Sequence, residues 1–160
     1  MLKLAGICIL LFTSILTSRE LVSRRRSRLV LCEELLRFVS FLRLQIGCFL
    51  RPVHEVASSF HSDVLSSSGF LPVGECGDVG RAFADSDLPR IVGQDCARIA
   101  DSLFSSLGSG YLEDEVRLID VHRAQLSELV ERERIETERQ VRLIRTLTAS
   151  AALGAIILII

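Results

Sequence analysis

Residues 112–160, LEDEVRLIDVHRAQLSELVERERIETERQVRLIRTLTASAALGAIILII, contain no proline and a single glycine, Gly154. Nothing in this stretch breaks a helix, and a glycine inside an apolar helix is tolerated in lipid. Leu112, Val116, Ile119, Leu126 and Val130 keep a coiled-coil-like step, with Arg123 at one seam position. That pattern predicts a long helix laid on a partner. From Glu128 to Arg142 the sequence is polar all round. Glu128–Arg132 and Glu138–Arg142 stand in the favourable i,i+4 order, each pair adding about 0.2–0.5 kcal/mol to helix stability. A helix with polar residues on every side bridges solvent, so this part is expected to form a stalk. Residues 146–160 then carry no charge, and Leu153 to Ile160 shows no polar face. The helix is therefore expected to end in lipid rather than in a protein core.

The other end of the chain mirrors this one. Residues 4–18, LAGICILLFTSILTS, are also uncharged. The 160 residues are 49% hydrophobic and 24% charged, with a mean hydropathy of +0.39. These figures fit together because the apolar residues are segregated at the two ends. A spanning helix needs about 20 residues. Lys3 and Arg19 extend the first run by lifting their charges to the headgroups, and Val141, Leu143 and Ile144 prolong the second past Arg142 and Arg145. The first run lacks a small-x-small cleavage site and is followed by Arg24-Arg25-Arg26-Ser27-Arg28, so it reads as an uncleaved anchor. Ile7 before Cys8 argues against lipidation. Basic residues stand on the inner flank of both runs. The positive-inside rule then places the middle of the chain in the cytoplasm and both termini outside. Lys3, Arg19, Arg24, Arg25, Arg26, Arg28, Arg142 and Arg145 are the expected membrane-interface residues.

Between the anchors, helical periods predict an all-α bundle. Leu31, Leu35, Phe38, Leu42 and Ile46 mark a helix over 27–46. Pro52 opens a second helix whose inner face is Val53, Val56, Phe60 and Val64, ending at Ser66 to Gly69. Residues 69–90, GFLPVGECGDVGRAFADSDLPR, read as a loop with a short broken helix around Val79 to Ala84. A third helix follows from Pro89, with Leu88, Val92, Cys96, Ile99 and Leu103 on one face, and Gly108 and Gly110 stop it. Five widely spaced cysteines with no C-x-x-C pair suggest neither a disulfide framework nor a zinc site. Cys32 and Cys96 are expected to be small buried hydrophobes.

No catalytic constellation emerges. His54, His61 and Asp63 lack a further ligand for a metal, and Gly74, Gly77 and Gly80 lack the lysine and preceding strand of a phosphate loop. No cofactor is expected. The basic residues sit where lipid should be, so nucleic acid is not an expected partner. From Glu75 to Glu138 acidic residues outnumber basic ones. Glu113, Asp114 and Glu115 are the candidate contact for a basic partner.

The order and spacing of these features resemble the stage III sporulation protein AB family of endospore-forming bacteria. MLKLAG with its short anchor and basic cluster, LLRFVSFLRLQIGCFLRPVHEVA, SLFSSLGSGYLEDEVRLID, and the Glu/Arg-rich helix running into a Leu/Gly/Ile anchor carry the likeness. Tyr111 and Val116 depart from the aspartate and glutamine common there, and the glycine-proline middle matches poorly. The resemblance implies a cytoplasmic helical bundle like that of type II secretion F proteins, between an N-terminal and a C-terminal transmembrane helix. It implies a non-enzymatic platform in the mother-cell membrane, part of the channel to the forespore. Its implied partners are the other proteins of that operon, above all the AA-type secretion ATPase, with self-association left open. The expected organisation is an anchor over 1–23, a bundle over 24–110, a packing and stalk helix over 111–145 and an anchor over 146–160. A membrane-tethered scaffold or signalling adaptor unrelated to secretion is the alternative.

Overall fold

The computed structural model describes residues 2–71, 78–108 and 110–159, and leaves out the side chains of 2–19, 21, 145, 148, 149, 151–153 and 155–159. Among the described residues the chain is all helix, with no strand. Seven helices follow in order: α1 (Leu2–Phe49), α2 (Val53–Ser59), α3 (Asp63–Ser67), α4 (Val79–Asp85), α5 (Leu88–Val92), α6 (Gln94–Ser106) and α7 (Leu112–Ile159). They form two compact units, one of residues 1–27 and 133–160, the other of residues 28–132.

The first unit is made of the outer parts of the two long helices. The backbone is helical through both uncharged runs. Among the described residues no helix is long and apolar enough to cross a membrane. The spans expected over 4–18 and 146–160 fall mostly on residues whose side chains lie outside those described. The helix expected to start near Ser27 is continuous with the first run instead: α1 covers 48 residues. The intervening arginines do not interrupt it because arginine is a good helix former. Arg24 also pairs with Glu20 one turn back at 3.3 Å. On α7, the segment read as polar all round keeps a covered seam. Val130, Glu133, Thr137, Gln140 and Ile144 are less exposed than their neighbours, and Thr137 is buried. Steps of three and four continue here with polar residues, which an apolar count does not detect. Glu138 turns back to Arg134 at 3.7 Å, the opposite direction from the expected pair with Arg142.

The second unit contains the core. Leu31, Cys32, Leu35, Phe38, Val39, Leu42 and Ile46 of α1 are buried, with Ile119, Leu126 and Val130 of α7 and Cys96, Ala100, Leu103 and Phe104 of α6. Short helices close the rest. Phe38 meets Phe60 at 5.2 Å, Phe70 at 5.4 Å and Phe104 at 6.0 Å, Phe70 stacks on Phe104 at 5.7 Å, and Phe83 packs edge-on to both. Such ring pairs contribute about 0.5–1.5 kcal/mol each beyond their buried area.

Two breaks split helices that the periods had joined. The chain turns extended at Phe60, which separates α2 from α3. Ser62 then caps α3, accepting from the Leu65 N–H at 3.4 Å and donating to Glu34 Oε2 on α1 at 2.9 Å. Gly93 separates α5 from α6 with φ +87° and ψ 161°, a region open essentially to glycine alone. A methyl group on Gly93 would also overlap Cζ and Nη2 of Arg28. Arg28 lies there because its Nε donates to the Val92 carbonyl at 2.8 Å, and the Cys32 thiol approaches the same oxygen at 3.6 Å.

Gly93→Ala should therefore destabilise the protein by about 3 kcal/mol, from backbone strain and overpacking together. In an Arg28→Ala background the overlap is gone, and the same substitution should cost at least about 1 kcal/mol less. Urea unfolding of the four variants measures this; additive losses would show that Arg28 does not press on Gly93.

Candidate interaction surfaces

The basic residues expected at a membrane interface do not share one environment. Arg24 is exposed and paired with Glu20, Arg26 and Arg142 are exposed, and Arg25 is half-buried. Arg28 is held against the α5–α6 junction by its bond to Val92. It therefore belongs to the bundle as a fastener. The side chains of Lys3, Arg19 and Arg145 lie outside the described residues.

In the second unit α1 and α7 run antiparallel. Arg43 grips Asp120 with both prongs of the guanidinium, Nε to Oδ1 at 3.1 Å and Nη2 to Oδ2 at 3.3 Å. This hydrogen bond, and then the charge of Asp120, raise the Arg43 pKa further above its ordinary value. A raised arginine pKa keeps the Arg43 guanidinium charged, and the arginine's contribution is lost only as pH rises through the arginine range. Arg123, at the polar seam position, reaches Asp120 at 3.9 Å and joins the pair. One turn further along, a Cβ on Gly47 would lie 3.5 Å from Val116.

That pairing sets the end of α1 beside the start of α7, where the candidate acidic contact lies. Glu113 and Asp114 are exposed. Glu115 is engaged within the bundle, where its Oε1 accepts the Gly108 N–H at 2.8 Å and holds the α6–α7 turn. Around them large apolar side chains face solvent, with Tyr111 85% exposed, Leu50 68% and Phe49 62%. These residues were not candidates in the sequence. A hydrophobic residue at a helix end becomes conspicuous only once its exposure is known.

Both helix ends here go against local preference. Leu50 follows α1 with φ +54°, the left-handed conformation that usually selects glycine after a helix. Tyr111 supplies the carbonyl that opens α7, accepting from Asp114 and Glu115 at 3.0 Å each, where serine, threonine or aspartate would also cap.

A second feature, equally unmarked in the sequence, is a cleft of about 520 Å3 between α6 and α7, lined by Asp95, Arg98, Ser102, His122, Gln125 and Glu128 among others. His122 Nδ1 lies 2.9 Å from the Leu118 carbonyl and Nε2 lies 3.3 Å from Ser102 Oγ. The carbonyl can only accept, so Nδ1 donates to it. The pair joins two helices.

The three residues considered as metal ligands are not assembled. His61 Nδ1 is 3.0 Å from the Ser59 carbonyl, and among the described residues no three His, Cys, Asp or Glu side chains could hold a metal ion. Comparison with protein-family models, with curated proteins and with solved structures finds no match.

The two helix ends generate a stability prediction. Leu50→Gly should stabilise the protein by about 0.5–1 kcal/mol by removing a left-handed leucine. Tyr111→Ser should stabilise it by about 1 kcal/mol by capping α7. Thermal unfolding of each variant tests this, and a lower Tm in either would mean that the side chain is held by the fold.

Proposed function

We propose that this chain is a membrane platform component of the stage III sporulation AB type, non-enzymatic, anchored at both ends with its bundle in the cytoplasm. In this reading it couples a secretion-type ATPase to the mother cell–forespore channel. The observation that carries it is the partition of the chain into two units. The two uncharged runs fall together in one unit, and among the described residues the buried hydrophobic core lies in the other. A protein anchored at both ends and working through its middle requires this separation. The helical composition of the second unit is compatible with a secretion-platform bundle. The specific role rests on the sequence likeness. A tethered scaffold or signalling adaptor would draw on the same partition, and the phenotype below distinguishes them.

Membrane topology has a direct test in the native thiols. Cys48 is exposed, whereas Cys32 and Cys96 are buried. With Cys8 and Cys76 replaced by serine, a membrane-impermeant maleimide should label Cys48 only after the cells are opened. Labelling of intact cells would place the bundle outside, and recovery of the chain in the soluble fraction would remove the anchors.

Deletion of the gene in the native host should leave engulfment complete but abolish a late forespore reporter and heat-resistant spores, with both restored by the intact gene. Normal sporulation would remove the channel role and leave the adaptor reading.

A further inference from the structure

The end of the bundle where α1 meets α7 combines three properties that no part of the core requires. It exposes Phe49, Leu50 and Tyr111. It retains a left-handed leucine and, at the position whose carbonyl opens α7, a tyrosine, where glycine and serine are the favoured residues. Residues 49–55 and 111–117 also carry four carboxylates, Glu55, Glu113, Asp114 and Glu115, against two guanidinium groups, Arg51 and Arg117. Local rules broken without a packing gain, at adjacent helix ends, mark a place selected for contact. The cavity lined by Pro52, Val53 and His54 together with Leu107, Gly108 and Glu115 shows that the α1–α2 and α6–α7 turns border one surface.

Charge decides what covers it. An anionic bilayer surface would repel Glu113 and Asp114. A second copy docked through the same patch would oppose two acidic turns. A protein with an apolar pocket ringed by lysine or arginine satisfies both the rings and the carboxylates. We propose that Phe49, Leu50 and Tyr111 form an anchor that inserts into such a pocket, with Glu113 and Asp114 pairing at its rim. Resting on the platform reading above, the partner is the secretion-type ATPase.

The test uses the full chain in nanodiscs of zwitterionic lipid and the purified ATPase, with affinity, association rate and Tm measured together. Tyr111→Ser should weaken binding about tenfold or more, as loss of a central aromatic anchor does, while its Tm does not fall. Leu50→Gly should weaken binding in the same direction, also without loss of stability. Tyr111→Phe should bind within about twofold of wild type, since the ring provides the contact. Replacing Glu113 and Asp114 by lysine should slow association and flatten its salt dependence, as rim charges do.

Wild-type affinity in both Tyr111→Ser and Leu50→Gly would overturn the docking surface while leaving the platform reading in place. Failure of the wild-type chain to bind the ATPase would remove both. If Tyr111→Ser instead altered the oligomeric state of the chain alone, the occupant would be a second copy and the proposal would fall.

Discussion

The packing of Phe38 at the centre of the 28–132 unit is the constraint on which the remaining structure depends. Four short helices of five to seven residues are too short to be stable in isolation, since helix nucleation is costly and even runs of about 12–15 residues are marginal. They persist because each delivers a large apolar group to one place. Phe60 comes from the end of α2, Phe70 from just after α3, Phe83 from α4 and Leu88 from α5, all buried against α1 and α6. The caps then fix the angles: Ser62 ties α3 to Glu34, Asp78 caps α4 by accepting from the Arg81 N–H, and the Asp87 N–H donates to the Ser68 carbonyl. Tertiary burial, rather than propensity, holds this half of the bundle.

Such a core is only partly visible in sequence. The α1 stripe was legible because a 3.6-residue period survives over about four turns, and Leu31, Leu35, Phe38, Leu42 and Ile46 are all buried. Ile119, Leu126 and Val130 were legible on α7 for the same reason. In the segment 69–90 the short helix around Val79 to Ala84 was legible and forms as α4 (Val79–Asp85), and Leu88 was legible on the next inner face. The core positions of Phe70, Leu71, Val79 and Phe83 were not, because they are spread over short elements and have no period. Gly93 was hidden differently: Leu88, Val92, Cys96 and Ile99 keep helical spacing across it, so the break leaves the apolar pattern intact. It shows only in the backbone angle and in Arg28 lying over the missing side chain. Arg28 itself was read with its neighbours as headgroup-facing, because a run of arginines gives no sign of which member points inward.

The candidate contact was partly legible. Glu113, Asp114 and Glu115 stand out as an acidic first turn, and that placement is also what the helix dipole favours, so charge alone could not separate a stabilising role from a docking one. The structure divides them. Glu115 closes a turn through Gly108, whereas Glu113 and Asp114 remain exposed beside aromatic side chains. The conflict between local stability and residue choice at Leu50 and Tyr111 makes this end different from an ordinary solvated surface. It can be recognised only when backbone angle and exposure are known together.

Charge along α1 adds a further physical consequence. From Arg28 at the basic end to Leu50 at the acidic end are 22 residues by their numbers, about 33 Å at a rise of 1.5 Å per residue. The screening length at physiological ionic strength is about 8 Å, so the two ends do not sense each other electrostatically. A net charge of −1 for the whole chain therefore conceals two independent surfaces. In the proposed reading the basic one meets an anionic lipid face and the acidic, apolar one meets a basic protein, and each is occupied without opposing the other.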